Sequence, residues 1–449
     1  MKKIFQYIML AVVTIVMASC TSDIEETTAT TGKSNVQLVV GEFPAFGDSQ
    51  TRAIGTPDPG KTSWAEGDEL LLEIDNTSYG RHNATFTYNG KSWELTSGEL
   101  VYLEGDPAYI SHVYYAPNYK WSNTSLMLKK GKVAGTDELI EGKARITGNG
   151  ETITVSFAEA TRKYSRLRIA TLPNEQITVD TEYFTPAGSS DMEQNGNYTL
   201  TSDEKGNAYL YGTFENNSEV TVKYREAALT THTFSQATES AKSYALDATV
   251  ISANSAEEIK TAIEQKVADG KTTIRLNLAP NAGTNEFMAI REAIKGAAPN
   301  DLGTIELTII GVETIPEEAF YKMLQLKSVR MSDVKEIKKY AFKECQYLTV
   351  VEAPSLNKLY SGAFKKCDQL SKLTFGPINY ADERNWPIFE YITPNIDLIL
   401  SDYQKEMIET DSYLYTANND RDYAGSDEHN SKNFLGREFK SITCRYPVE

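Results

Sequence analysis

Apolar and polar residues alternate along much of the first half of the chain. The alternation is clear at Val36–Val40 and Ile153–Phe157, where every second residue is apolar. A period of two is typical of strands that bury one face. Because the runs are short and separated by Gly, Asn and Pro, the pattern predicts many short strands. We therefore expect two tandem β-sandwich domains, at residues 36–173 and 174–251.

The second half carries an internal repeat of 22 residues. Ala-Phe pairs recur at 319–320, 341–342 and 363–364. Five further apolar positions keep this register: Val312, Val334 and Leu356; Ile315, Ile337 and Leu359; Met323, Cys345 and Cys367; Leu326, Leu348 and Leu370; Val329, Val351 and Leu373. A fixed period of this size predicts an α/β solenoid whose units bury their apolar sides against one another. We expect repeats over 304–376, and a degenerate repeat with a C-terminal cap over 377–449.

Residues 252–303 precede the repeats and are predicted to form a helical α/β cap, since the end of a solenoid needs one. Ser255, followed three residues later by Glu258, is the signature of a helix N-terminus. Ile259 and Ile263 then lie on one face of the predicted helix. The chain is therefore expected to be multi-domain and β-rich.

The N-terminus has the pattern of a signal peptide, with two lysines, an apolar run and small residues. Met17-Ala18-Ser19-Cys20 resembles a bacterial lipobox, which implies that residues 1–19 are removed and Cys20 is acylated. The alternative is a plain secretory signal with a chance cysteine. Residues 20–35 are too polar to fold and are predicted to be a flexible tether. Their acidic residues resemble the surface-export signal of Bacteroidetes lipoproteins, which implies an outer-membrane protein that is lipid-anchored and exposed at the cell surface.

Four short motifs resemble fimbrillin-like modules: Thr51-Arg52-Ala53, Trp64–Glu69, Phe157–Thr171 and Ala241–Tyr244. The resemblance implies two β-sandwich domains in series. Some fimbrillins are cleaved after an arginine near the N-terminus, which frees a groove for a strand of another subunit. Arg52 is the candidate cleavage site here, and the alternative is an ordinary exposed loop charge.

The 22-residue units resemble BspA-type leucine-rich repeats, which are common in bacterial surface proteins. They lack the asparagine ladder of the commoner leucine-rich consensus. Strand positions that flank the buried ones are predicted to face outward and form a candidate binding face: Ser328, Arg330, Val350, Glu352, Lys372 and Thr374.

Two cysteines, Cys345 and Cys367, occupy equivalent positions in adjacent repeats. Adjacent strands lie about 4.8 Å apart, which permits a disulfide. Free buried thiols are the alternative, because Met323 fills the same position in the first repeat. Cys444 has no obvious partner in the sequence.

The amino-acid composition argues against several classes of partner and of catalytic site. The 45 basic and 62 acidic residues give a net charge of −17, which argues against nucleic acid and against an anionic membrane surface as partners. Only four histidines and four cysteines are present, and metalloprotease and serine-hydrolase motifs are missing from the sequence. We therefore expect no metal, no cofactor and no catalytic residues. Four aromatic residues form a candidate sugar-binding patch, with packing in the sheet as the alternative: Tyr114, Tyr115, Tyr119 and Trp121.

Together these patterns predict a non-enzymatic cell-surface lipoprotein, an adhesin or a fimbrial accessory or tip subunit. Its repeat region would bind a host or bacterial surface protein, and fimbrial subunits are further expected partners. The alternative is a glycan-capture lipoprotein of a polysaccharide-uptake system. A hydrolase with two convergent carboxylates is a third hypothesis.

Overall fold

The computed structural model describes residues 37–44, 46, 60–77, 80–98, 108–123, 125–147, 152–157, 162–253, 255–382, 387–401, 433–435 and 437–445. These residues are rich in β-strands, and they divide into two compact units. The first unit runs to Thr221 and also includes Thr231–Asp247. The second unit comprises Val222–Thr230 and the chain from Ala248 onward. The prediction of a β-rich, multi-domain chain is confirmed.

The first sheet has seven strands in the order β1-β9-β8-β5-β2-β3-β4. Its strands are β1 (Gln37–Val40), β2 (Glu69–Asn76), β3 (Gly80–Tyr88), β4 (Trp93–Gly98), β5 (Ala108–Tyr115), β8 (Ile140–Thr147) and β9 (Thr152–Ser156). A separate hairpin consists of β6 (Tyr119–Ser122) and β7 (Ser125–Leu128). All seven strands contribute side chains to one buried cluster, which includes Leu38, Leu72 and Phe86. The edge strand β1 pairs in parallel with β9.

The second sheet has the order β15-β14-β11-β13-β10-β16, with β12 paired to β11. Its strands are β10 (Ser165–Ala170), β11 (Gln176–Pro186), β12 (Glu193–Thr201), β13 (Asn207–Phe214), β14 (Glu219–Tyr224), β15 (Ala227–Thr233) and β16 (Ser243–Asp247). The predicted boundary at Pro173 places β10 in the first module. The strand instead pairs with β13 and β16, so the second sheet begins before the predicted boundary at residue 173.

An ion pair between Arg162 and Glu138 is buried in the first unit. The guanidinium Nη2 donates to Oε2 at 2.7 Å, and Nη1 donates to the carbonyl oxygen of Pro44 at 2.8 Å. The guanidinium carbon lies 3.9 Å from the ring centroid of Phe46. Burial raises the pKa of Glu138, and the charge of Arg162 opposes that rise. Since a buried charge needs a partner, this pair holds the guanidinium of Arg162 against the backbone of Pro44 and the ring of Phe46.

From residue 251 onward, the described residues form two helices and two wholly parallel sheets. The helices are α1 (Ala256–Ala268) and α2 (Thr284–Ala297). The larger sheet runs through β17 (Ile251–Ser252), β18 (Thr273–Asn277), β19 (Ile305–Ile310), β21 (Leu326–Met331), β23 (Val350–Ala353), β25 (Lys372–Phe375), β27 (Asp397–Ser401) and β30 (Ser441–Arg445). The smaller sheet runs through β20 (Thr314–Ile315), β22 (Glu336–Ile337), β24 (Lys358–Tyr360) and β26 (Tyr380–Asp382). A short hairpin of β28 (Asn433–Phe434) and β29 (Arg437–Glu438) precedes β30.

The predicted start of helix α1 is confirmed. The Ser255 hydroxyl accepts a hydrogen bond from the backbone N–H of Glu258 at 3.3 Å, which caps the helix. Ile259 and Ile263 are buried, as the amphipathic pattern predicts. The helix therefore closes one end of the apolar cluster that continues into the repeats.

A row of buried phenylalanines runs through the repeats, and we call Phe320, Phe342, Phe364 and Phe389 the phenylalanine spine. Consecutive ring centroids lie 5.1, 5.3 and 5.7 Å apart, with interplanar angles of 22°, 5° and 9°. Phe287 of α2 meets the first ring of the spine edge-on at 5.6 Å. The cap helix therefore shares the aromatic core of the repeats.

Candidate interaction surface

The exposed face of the larger parallel sheet arises from alternation along each repeat strand. Val329, Val351 and Leu373 are fully buried and pair side by side in β21, β23 and β25. Residues that flank them project to the opposite face. In register, Arg330 lies beside Glu352. Equivalent positions of successive repeats therefore form continuous rows across the sheet.

Three charged side chains occupy the centre of this face, and we call Arg330, Glu352 and Lys372 the charged strip. Arg330 Nε donates to Glu352 Oε2 at 3.0 Å, and Lys372 Nζ lies 3.5 Å from Glu352 Oε1. Their side chains are 42%, 29% and 45% exposed, respectively. Because exposed ion pairs contribute only about 0–1 kcal/mol to stability, the strip is better suited to recognition than to holding the fold.

The other predicted positions on this face differ from one another. Val350 and Thr374 are half-buried beside the charged strip. Ser328 is only 5% exposed, which corrects the prediction that it faces solvent. Its short side chain lies between Glu306 and Val350, its partners on the two neighbouring strands.

The same face continues onto β27 and β30, a part that the fixed spacing did not predict. Asp397 pairs with Lys372 in the sheet register. Its carboxylate accepts hydrogen bonds from Ser441 Oγ at 2.6 Å and from Lys440 Nζ at 2.9 Å. These bonds lower the pKa of Asp397 from its ordinary value. The outer face thus carries ordered charges beyond the residues named from the sequence.

The smaller sheet carries a second set of charges. Glu336 accepts from Lys338 Nζ at 2.5 Å and from Lys358 Nζ at 2.6 Å. Both hydrogen bonds lower the pKa of the Glu336 carboxyl. The Lys338 ammonium also lies 4.4 Å from the ring centroid of Tyr360, which adds a cation–π contact. Tyr360 in turn lies 5.5 Å from the exposed ring of Tyr380.

The two repeat cysteines are free thiols in the structure. Cys345 Sγ donates to the carbonyl oxygen of Phe320 at 2.9 Å, and Cys367 Sγ donates to that of Phe342 at 3.0 Å. Burial raises the pKa of Cys345 to about 12 and that of Cys367 well above its ordinary value. The thiols therefore serve as small core side chains, and the disulfide alternative is not formed. Cys444 is half-buried against the same core.

The predicted aromatic patch does not exist as one exposed surface. Tyr115 is buried, with its ring edge-on to Phe43 at 5.3 Å and to Trp64 at 5.5 Å. Tyr119 is also buried, and its hydroxyl donates to a backbone carbonyl at 3.0 Å. Of the four, only Tyr114 and Trp121 are half-exposed. Tyr114 lies on the opposite face of β5 from Tyr115, and Trp121 lies in the hairpin of β6 and β7. Packing in the sheet explains the two buried rings.

The candidate lipidation site Cys20 and the candidate cleavage site Arg52 lie outside the described residues. Within the part of the chain that the structure describes, three or more His, Cys, Asp or Glu side chains nowhere converge as a metal site would require. No helix among the described residues has the length and apolar character needed to span a membrane.

Comparison with known families identifies the repeats. The family model of the BspA type leucine rich repeat region matches residues 302–408 in six copies. A comparison with curated proteins gave no significant match. The matched range extends past residue 376, where the predicted repeats end. Residues 302–408 are therefore a BspA-type leucine-rich repeat region.

Proposed function

We propose that this chain is a non-enzymatic surface lipoprotein, an adhesin or a fimbrial accessory or tip subunit, that binds a protein or cell surface through its repeats. The observation that carries the proposal is the charged strip on the repeat sheet. BspA-type repeats are often found in surface proteins, and here they present half-exposed charges in fixed register. Repeat proteins commonly use such extended faces for binding.

The chemistry of the strip suits a macromolecular partner. Arg330 and Lys372 flank the single carboxylate of Glu352, so the strip is locally cationic on an acidic chain. Charge complementarity of this kind increases association rates and sets specificity more than it adds raw affinity. An acidic patch on a surface protein would therefore be the preferred partner.

The test is charge reversal in the complete chain. We expect Arg330→Glu with Lys372→Glu to reduce the binding of fluorescently labelled protein to epithelial or bacterial cells by at least tenfold, measured by flow cytometry. Lys335→Glu is the matched control, because Lys335 is 50% exposed and also pairs with a glutamate, but beside the smaller sheet. Equal binding by both variants, or no binding by the native protein, would reject the proposal.

Lipid anchoring at Cys20 is the second part of the proposal, and the lipobox-like Met17–Cys20 sequence supports it. Several acyl chains on one cysteine would hold the protein firmly without a membrane span. We expect metabolic labelling with an alkynyl fatty acid in the native chain, loss of label in Cys20→Ser, and digestion of the protein when intact cells are treated with protease. Labelling of Cys20→Ser at the native level would exclude this anchor.

Strand exchange between fimbrillin-like sandwich modules is a second candidate function, favoured by the place of β1. This edge strand pairs in parallel with β9, and it precedes Arg52 in the chain. Cleavage after Arg52 would allow β1 to leave and a strand from another subunit to add to β9. We expect an Arg-specific protease to produce a new N-terminus at Ala53 and oligomers, with Arg52→Ala as the uncleaved control. A cleaved product that remains monomeric would contradict strand exchange.

A further inference from the structure

The first unit contains a cavity of about 310 Å³ that lies outside the repeats. Strands β5, β8 and β13 and the turn after β11 provide its walls. The side chains that matter here are Tyr114, Glu141, Lys163, Tyr164, Ser189 and Thr213. Its volume is at the lower end of the range of small-molecule sites, about 300–1,000 Å³.

One wall of the cavity is aromatic. The half-exposed ring of Tyr114 is held by a stacked contact with His112 at 5.7 Å, and it lies 6.1 Å from the indole of Trp121. Its hydroxyl forms a hydrogen bond with His112 Nδ1 at 3.2 Å. Tyr164, which is buried, completes the aromatic lining and is fixed by a 2.8 Å hydrogen bond from the Leu139 backbone N–H. Both rings are therefore held in place before a ligand enters.

The polar lining is electrically balanced. Glu141 Oε2 lies 2.9 Å from Lys163 Nζ, and these are the two charged side chains that line the cavity. Glu141 Oε1 faces His112 Nδ1 at 3.9 Å, which leaves capacity to accept further hydrogen bonds. The Thr213 hydroxyl adds a donor and an acceptor, whereas Ser189 Oγ already bonds the backbone N–H and carbonyl of Asp191. A neutral ligand rich in hydroxyl groups would form hydrogen bonds with this set while leaving the Glu141–Lys163 ion pair intact.

We propose that this cavity binds one ring of a neutral sugar, stacked on Tyr114 and hydrogen-bonded to Glu141 and Lys163. A sugar ring has an apolar C–H face that fits an aromatic ring and a rim of hydroxyls that fits carboxylate and ammonium groups. A fatty acyl chain has no groups along its length that could form hydrogen bonds with Glu141 and Thr213. An anion would face the carboxylate on a chain of net charge −17. The inference rests on the cavity and does not depend on the charged strip.

The experiment titrates the intact chain with maltotriose, cellotriose, mannotriose and xylotriose in an isothermal calorimeter. Saturation-transfer NMR identifies the bound ring. We expect one of these probes to bind with a dissociation constant of about 1 mM, which is ordinary for a ligand of this size. Tyr114→Ala should weaken binding at least tenfold, and Tyr114→Phe should keep it within about threefold because the stacking ring remains.

Tyr109→Ala is the matched control, because Tyr109 lies on the same strand, is exposed, and is not part of the cavity lining. Its binding should equal that of the native chain, and so should binding by the charge-reversed Arg330→Glu variant. Thermal melting checks that Tyr114→Ala remains folded, and Glu141→Gln gives a second loss if that variant unfolds. Absence of binding by all four probes at 20 mM, or unchanged binding in both Tyr114→Ala and Glu141→Gln, would overturn the proposal.

Discussion

Replacing Phe342 by alanine should destabilise the repeats more than any surface change, because its ring is fully buried in the middle of the phenylalanine spine. Truncation of a buried phenylalanine costs about 3–5 kcal/mol. Phe342 also stacks on two rings, Phe320 and Phe364, at 5.1 and 5.3 Å. Each aromatic pair contributes about 0.5–1.5 kcal/mol beyond its buried area. We therefore expect the loss of stability to lie in the upper half of the range for a buried phenylalanine, at about 4–5 kcal/mol.

The buried thiols of Cys345 and Cys367 provide the assay. They react with a disulfide reagent only when the repeats open, so the labelling rate reports the opening equilibrium. The measurement uses the chain from residue 21 with Cys444→Ser, so that these two thiols alone respond. A loss of about 4–5 kcal/mol corresponds to a rate increase of roughly 10³- to 10⁴-fold in Phe342→Ala.

Phe214→Ala is the matched control in the first unit. Phe214 is also buried between two rings, Phe184 at 4.5 Å and Phe234 at 4.6 Å. It should lower the stability of its own unit and leave the thiol labelling rate within about threefold of native. A rise of less than tenfold in Phe342→Ala, or an equal rise in Phe214→Ala, would refute the reasoning.

Three further predictions concern charge and backbone conformation. Arg162→Met should cost about 3–5 kcal/mol at pH 7 in guanidinium unfolding. Removing the cation raises the folded pKa of Glu138 further than burial already does in the native chain, so the cost is smaller at pH 4 and grows as the pH rises above the native folded pKa. Both Gly311 and Gly270 have positive φ, so replacement by alanine should cost each about 1–2 kcal/mol of backbone strain. Gly311→Ala should cost more than Gly270→Ala in thermal unfolding, because a Cβ at 311 would lie 2.2 Å from a backbone oxygen and a Cβ at 270 would have no atom within 4 Å. The pKa of Glu336, followed by carboxyl NMR, should lie below the ordinary glutamate value and rise in 1 M salt, which screens its lysine partners; a salt-independent pKa would contradict the ion-pair origin.

The repeat spacing predicted the core of the repeat region because each position in one unit contacts the same position in the next. Val329, Val351 and Leu373 pair in the sheet as a period of 22 requires. The prediction stopped at Phe375, but the smaller sheet keeps the step of 22 as far as Tyr380–Asp382, and the step lengthens only at the next strand of the larger sheet. Leu373 pairs with Leu398, 25 positions later, while the buried face is preserved. A search for a fixed period of 22 therefore misses the repeat that contains Leu398, although its strand extends the same sheet.

The candidate surface was only partly predictable for a different reason. Alternation along a strand assigns Arg330 and Glu352 to the outer face, but it does not give the depth of a side chain between its neighbours. Ser328 is covered for that reason. The ion pair of Arg162 and Glu138 joins residues 24 positions apart, and no periodic signal marks such a contact.

The wholly parallel pairing of the repeat strands has a mechanical consequence. Each unit is bonded only to the units before and after it, so a pull on the last strand loads one interface at a time. Detaching one repeat releases 22 residues, which extend to roughly 75 Å of chain. If the proposed partner pulls on the last repeat under fluid flow, the repeats would unfold one at a time while the partner stays bound. The force on the bond to the partner would then not exceed the force that separates the weakest pair of neighbouring repeats.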